Sequence, residues 1–360
     1  MTTVYRAAII GTGRIGSTYD DEVVDRREPA FYQGEVRHSG LYTVLPVNHA
    51  GAYTTTPGYT LIAAANRGEE KLRAFGDRWG VRALYSDFRA LLREERPDIV
   101  SVCTQSPEKA EVVVAAAAAG VKAIVVEKAF ATSMAEADAM LAACARHGVV
   151  LAVNHPNRFS PLMREAKRLI ADGTIGDLGT VAAYAVGGML HTGTHTFDLL
   201  RYWAGNVVTL DARIPDYVPG NDLPATGTLQ FASGASGFFD HAHRVQPGYE
   251  ARGTRGRVVA SSLVGDGWLY RHHPFVPESA RRYPDQLTVT PIGTAPHDLS
   301  TTQRLFVELH DTLTSGIPFC STGQDGAAAL ELGLACHLSQ REQAPVALPL
   351  ADRTLRVGNR

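Results

Sequence analysis

A chain of 360 residues exceeds what one hydrophobic core usually supports, so two domains are expected. Its 45% hydrophobic side chains can fill those cores, while 35 basic against 37 acidic residues leave no basic field for a phosphate backbone, so nucleic acid is excluded as the expected partner. No apolar run approaches the roughly 20 residues of a membrane span, and the first residues enter a strand without a leader-like apolar region, so no membrane partner and a cytoplasmic location are expected.

Residues 4–10 read as a continuous apolar strand running into Gly11-Thr12-Gly13-Arg14-Ile15-Gly16. After a strand, such spacing fits a dinucleotide: Gly11 permits the tight turn, Gly13 lets backbone approach a pyrophosphate, and Gly16 lets helix pack on strand. Amides at Arg14 and Ile15 would then face negative charge. A glycine-rich turn without ligand is the alternative. Residues 18–46 read as an insertion, because Val47-Asn48-His49-Ala50-Gly51-Ala52-Tyr53 resumes the helix that Gly13 begins. Such a loop would form a lid over the cofactor or a contact elsewhere.

The second strand, 61–65, ends at Asn66-Arg67. An acidic residue is expected about 20 residues beyond the glycines, and none stands there. Asn66 removes a carboxylate that would repel a 2′-phosphate, and Arg67 would pair with one, which tilts the cofactor from NAD toward NADP. The other reading keeps NAD, with Asn66 on the ribose and Arg67 stacked on adenine or in solvent.

Further strands at 99–103, 123–126 and 149–153 alternate with helices at 69–79, 88–93, 108–119 and 134–146, the pattern of an α/β doubly wound parallel sheet over residues 1–152. Thr104, Glu127 and Lys128 fall at the carboxyl ends of two of these strands, the edge where such sheets bind ligands. From 153 to 360 the texture becomes α+β: a helix from Ser160-Pro161 to Gly173, strands at 180–186, 207–214, 227–231, 236–241, 257–261 and 287–291, and helices at 303–313 and 325–340. A large open mixed sheet would pack one face on helices and could offer the other to a second subunit. Cys103, Cys144, Cys320 and Cys336 are scattered through apolar patterns and read as reduced core thiols.

His191 and His195 flank Gly193 at a loop-to-helix junction. An alcohol must lose a proton as its carbon loses hydride, and imidazole is the natural base near neutral pH. The i, i+4 pair with Asp198 nearby also invites a metal, but Gly193 interrupts the helix and no Glu-x-x-His partner follows, so no metal is expected. Asp198 is expected to bind amides near the helix start.

Together these residues resemble the Gfo/Idh/MocA oxidoreductases, typified by glucose-fructose oxidoreductase and inositol dehydrogenase. The resemblance covers nearly the whole chain: the glycine fingerprint, Glu127-Lys128, Asn154 with Arg158-Phe159, residues 170–176 and 195–203, and the closing Pro345-Val346-Ala347-Leu348-Pro349-Leu350. It implies a Rossmann-like half binding NAD or NADP and a substrate-binding half whose open sheet makes homodimers or homotetramers. It implies that Lys128 contacts nicotinamide ribose and substrate, that His195 exchanges the hydroxyl proton, and that Asn154 and Arg158 flank the site. Three residues depart from the family pattern: Ala129 replaces the proline of Glu-Lys-Pro, His191 replaces an aspartate four residues before the histidine, and Lys109 replaces a frequent histidine.

The activity implied is reversible hydride transfer between a sugar or cyclitol hydroxyl carbon and nicotinamide, with His191 assisting His195. An NAD-dependent, redox-neutral glycosidase acting by transient oxidation and elimination is the second reading, motivated by His191 and the insertion. A non-catalytic dinucleotide-binding regulator is the third. Retention of both Lys128 and His195 weighs against it.

Overall fold

The computed structural model describes residues 3–25, 44–243, 247–261, 265–273, 286–293 and 298–358. Residues 26–43, most of the expected insertion, lie outside them.

The first part of the chain runs β1 (Tyr5–Ile10), α1 (Tyr19–Asp25), α2 (His49–Thr55), β2 (Tyr59–Ala65), α3 (Glu69–Trp79), β3 (Ala83–Tyr85), α4 (Phe88–Glu95), β4 (Ile99–Val102), α5 (Ser106–Ala118), β5 (Ala123–Val126), α6 (Met134–His147) and β6 (Val150–Val153). The six strands form one parallel sheet in the order β3-β2-β1-β4-β5-β6. β4 and β5 are buried throughout rather than alternating, because helices cover both faces. The chain leaves β1 toward β2 and β3 on one side and toward β4 to β6 on the other, which opens a crevice at the carboxyl ends of β1 and β4.

The second part runs α7 (Pro161–Ala171), β7 (Leu178–Tyr184), α8 (Gly193–Ala204), β8 (Val207–Arg213), β9 (Thr226–Phe231), β10 (Ser236–Asp240), β11 (Gly248–Gly253), β12 (Gly256–Ser261), β13 (Asp266–His273), β14 (Gln286–Pro291), α9 (Thr301–Ser315), α10 (Gly323–Glu342) and β15 (Val346–Ala347). Its sheet is ordered β14-β13-β12-β11-β7-β10-β9-β8-β15. It is mixed, since β7 and β10 are parallel and their other neighbours antiparallel. α8 and α10 pack on this sheet, and α10 also reaches α6 and β6. α9 returns to the first part, where Phe306 is buried among Tyr53 and Tyr59. Val208, Phe238, Leu287 and Val289 remain exposed on strands of the large sheet.

The structure departs from the sequence pattern in two respects. β3, β11, β13 and β15 are additional strands; β3 has only three residues, and β11 mixes Glu250 and Arg252 with Tyr249 and Ala251. Residues 47–53 do not resume the helix begun at the glycines. That helix is a single π-type turn, Arg14–Thr18, running into α1, and α2 starts afresh with Asn48 accepting from the Gly51 N–H at 2.7 Å. The start of the insertion is tied to the domain, because Val47 and Asn48 N–H both donate to Asp20 Oδ1, at 2.9 and 3.1 Å.

Candidate active site

The glycine turn meets the requirements of each position. Gly11 has φ +99°, and a Cβ there would stand 2.7 Å from the Cys103 carbonyl carbon; at Gly16 it would stand 2.2 Å from the Gly11 oxygen. Gly13 has nothing within 4 Å, so its backbone is open to close approach. A groove of about 730 Å³ runs from Gly11 and Gly13 past Thr104 to Asn66, Arg67 and Glu108. Asn66 Nδ2 donates to Gly68 O at 3.1 Å, and the Arg67 guanidinium pairs with Glu108.

The groove continues, through shared Gly13, Lys71, Cys103, Thr104 and Gln105, into a cavity of about 530 Å³. Its wall brings together Arg14, Ile15, Glu127, Lys128, Asn154, His191 and His195. The π-type turn after β1 delivers Arg14 and Ile15, the ends of β5 and β6 deliver Glu127, Lys128 and Asn154, the loop before α8 delivers His191, and the first turn of α8 delivers His195. Lys128 Nζ donates to His191 O at 2.9 Å. Burial lowers the Lys128 ammonium below its ordinary value, against the opposing charges of Glu127 and Asp222. His191 is lowered first by Lys128 and then by burial. Burial, then Lys128 and His155, push His195 well below the usual imidazole value, so its ring is neutral and able to accept a proton.

Three polar atoms on these walls are sealed without a hydrogen-bond partner: Thr104 Oγ1, Asn154 Oδ1 and His195 Nδ1. Buried polar atoms are almost always paired, so such orphans mark where a ligand's polar groups belong. With the open backbone at Gly13, they make the residues present fit a bound dinucleotide and a second ligand that carries polar groups.

The Glu127 carboxylate is committed behind the cavity. Its Oε1 accepts from Asn154 Nδ2 at 2.6 Å and from His49 Nε2 at 3.0 Å, and His49 Nδ1 lies 2.8 Å from Ser101 Oγ. Burial opposes charge on both partners, yet Cys103 and Glu127 raise His49, while His49 and Asn154 lower Glu127. The result is a buried ion pair that fixes the backbone just before Lys128.

Arg158 does not join the cavity wall. It is buried, with Nε 2.9 Å from both Asp198 oxygens, Nη1 donating to Cys320 O at 2.6 Å and Nη2 to Asp325 Oδ1 at 2.9 Å. Asp198 likewise binds no helix-start amides. It pairs with Arg158 and with His155 Nδ1 at 3.1 Å, which together hold its carboxyl below the usual range against burial. His155 in turn sets its ring edge-on to His195, with centroids 6.2 Å apart. Cys103 is a half-buried wall residue rather than a core thiol. Among the described residues no group of three or more His, Cys, Asp or Glu could hold a metal ion.

Lys109 lines the cavity, is buried, and donates Nζ to Ala129 O at 2.6 Å. The Lys128–Ala129 peptide is cis. Burial outweighs the neighbouring Glu127 charge and pulls the Lys109 ammonium down to about 7. Between that value and the unfolded value of about 10.4, the unfolded chain binds more protons, so stability rises with pH by up to about 1.4 kcal/mol per unit. Urea midpoints from pH 7 to 9.5 are expected to climb for the native chain and to stay flatter for Lys109→Met. Equal slopes would contradict a buried neutral lysine.

Comparison with known proteins gives the site its context. Residues 40–155 match the family model described as oxidoreductase family, NAD-binding Rossmann fold, and residues 182–259 match the GFO/IDH/MocA C-terminal domain. The chain belongs to the Gfo/Idh/MocA family. Among the relatives, D-apiose dehydrogenase of Paraburkholderia graminis is 33% identical over 213 residues, covering 54% of this chain and 56% of that enzyme, so the match spans little more than half of its length. Myo-inositol 2-dehydrogenase of Thermotoga maritima is 27% identical over 321 residues, covering 80% of this chain and 91% of that enzyme. An oxidoreductase from Agrobacterium radiobacter, crystallised with NAD+, L-tartaric acid and magnesium, shares the fold with a TM-score of 0.72 at 21% identity, over 96% of this chain and 98% of that one.

Besides His49 and His155, the sequence pattern leaves Lys71, Thr301 and Thr302 unmarked, and all three line the cavity. A signal for the threonines exists: Ser300 and Gln303 form a capping box that puts Thr301 and Thr302 in the first turn of α9.

Proposed function

We propose that this Gfo/Idh/MocA chain transfers hydride between a sugar or cyclitol hydroxyl carbon and a nicotinamide dinucleotide. The observation that carries this reading is that the cavity holding Lys128 and His195 is continuous with the groove under Gly13. When bound, the nicotinamide supplies the hydride acceptor. Lys128, held by His191 O, turns a second N–H to the substrate oxygen and stabilises the developing alkoxide. His195 takes the hydroxyl proton while the carbinol hydrogen leaves with its electron pair, so alcohol becomes carbonyl. Asn154 Oδ1 accepts from a neighbouring hydroxyl, and His191 stands beside Lys128 to assist. The names of the apiose and inositol relatives support a carbohydrate-like substrate.

The far end of the groove sets the coenzyme. Asn66 and Arg67 support a lean toward NADP, with Glu108 competing for the guanidinium. The exposed Phe238, Val208, Leu287 and Val289 support a homo-oligomer formed through the large sheet. Four free cysteines suit a reducing, cytoplasmic setting.

The purified protein, incubated with NAD or NADP and a panel of sugars, cyclitols and glycosides, is expected to reduce the coenzyme with at least one free polyol. Glycoside cleavage without net reduction would replace this reading with the elimination mechanism, and coenzyme binding without turnover would leave a regulator. NADP affinity is expected to fall about tenfold on Arg67→Ala, the loss of one charge-assisted pair. A preference for NAD already present in the native chain and unchanged by Arg67→Ala would overturn the NADP lean.

A further inference from the structure

Lys128 is held by a carbonyl, and that carbonyl is itself held. His191 O, which accepts from Lys128 Nζ at 2.9 Å, belongs to a peptide that is held at its own N–H and preceded by held neighbours. Within that peptide, Thr192 N–H donates to Gly188 O at 2.9 Å. Before it, His191 N–H donates to Asp222 Oδ2 and Leu190 N–H to Asp222 Oδ1, both at 2.8 Å. Asp222 comes from the segment between β8 and β9, and its side chain is 6% exposed. The loop is shaped around this carboxylate, since a Cβ on Gly188 would stand 2.3 Å from Asp222 Oδ2.

We infer that Asp222 is a positioning residue for Lys128. It fixes the 189–190 and 190–191 peptides, and so the position of the adjoining 191–192 peptide, whose carbonyl, His191 O, holds the ammonium at the cavity. Two backbone N–H groups would be satisfied by any neutral acceptor. A carboxylate adds a negative charge that favours the protonated forms of Lys128, otherwise lowered by burial and Arg14, and of His191, otherwise lowered by Lys128 and burial. The other titratable groups facing it are His337, whose Nε2 lies 3.7 Å from Asp222 Oδ1, with Cys336 and His241. Glu127, Arg14 and Lys109 face Lys128 and His191 from the other walls.

The inference rests on Lys128 being the working lysine of the proposed reaction, so its test has one arm that needs no substrate. The near-isosteric Asp222→Asn keeps one acceptor and removes the charge, and near-ultraviolet circular dichroism reports whether it folds. In the first arm, native protein and variant are treated with trinitrobenzenesulfonate across a pH series, and modification of Lys128 is read by peptide mass spectrometry. The variant's Lys128 is expected to react at lower pH and several-fold faster at a fixed pH. An unchanged Lys128 profile in a folded variant would overturn the inference whatever the substrate is.

In the second arm, kcat is expected to fall about 10- to 100-fold, the scale of a displaced catalytic group, with coenzyme KM little changed. The alkaline limb of the kcat profile moves to lower pH, because a deprotonated Lys128 no longer stabilises the alkoxide. Adding Asp222→Asn to Lys128→Ala costs little more, as residues acting through one another are not additive. Full additivity would mark Asp222 as a fold residue only and overturn the inference. Undiminished turnover in Lys128→Ala would instead overturn the function proposed for the site, while the labelling arm still decides the role of Asp222.

Discussion

Replacing Lys128 by alanine is expected to lower kcat by about 10²- to 10³-fold, the cost of removing one preorganised donor from a developing oxyanion. Dinucleotide dissociation constants should change little, because the glycine turn, Thr104 and the Asn66–Arg67 end of the groove are untouched. The effect is electrostatic. Nζ sits in a site that burial makes poor in solvent, where an ammonium stabilises a nearby alkoxide far better than water does. Stopped-flow nicotinamide fluorescence separates the two effects. A variant with normal turnover would remove Lys128 from the chemistry, and one that loses coenzyme binding instead would make it a cofactor anchor.

His195→Ala should cost about 10²- to 10⁴-fold in kcat/KM, the usual worth of a positioned general base. Its pH dependence is the sharper readout. The base must be neutral to act, and burial, then Lys128 and His155, hold its conjugate acid well below the ordinary histidine value. Activity should therefore persist below pH 6.5 rather than fall there. Removing the Lys128 charge raises the His195 value, so the acid limb of whatever activity remains in Lys128→Ala should move to higher pH. An acid limb at the ordinary histidine value in the native enzyme would mean that a more exposed group, such as His191, carries the proton.

What the sequence shows of this site follows from how local each signal is. The glycine turn and Lys128 are legible because each needs only its own strand: an apolar run must end at the carboxyl edge, and whatever stands there faces the crevice. His195 is legible from the glycines before α8 and the apolar spacing after them. Arg158 is misread because nothing near it in sequence reveals that Asp198 and Asp325 will meet it and draw it behind the cavity. Asp222 is invisible for the same reason, since its partners at Leu190 and His191 are brought to it by the folding of a loop back against the β8–β9 connection. His49 looks like a helix residue until the fold sets it against Glu127. In the sheets, β3 is too short and β11 too mixed in polarity for period or composition to mark them.

In the proposed reaction a carbinol hydrogen passes as hydride to nicotinamide at the edge shared by Lys128 and His195. Isotope transfer tests it most directly. The enzyme is given oxidised coenzyme and a polyol from the panel deuterated at its carbinol carbons, and the coenzyme is recovered and analysed by mass spectrometry and NMR. Deuterium at nicotinamide C4 is expected with the native enzyme, and no such transfer within the same time with Lys128→Ala or His195→Ala. Label lost to solvent, with the coenzyme left unlabelled and the substrate transformed, would contradict direct hydride transfer.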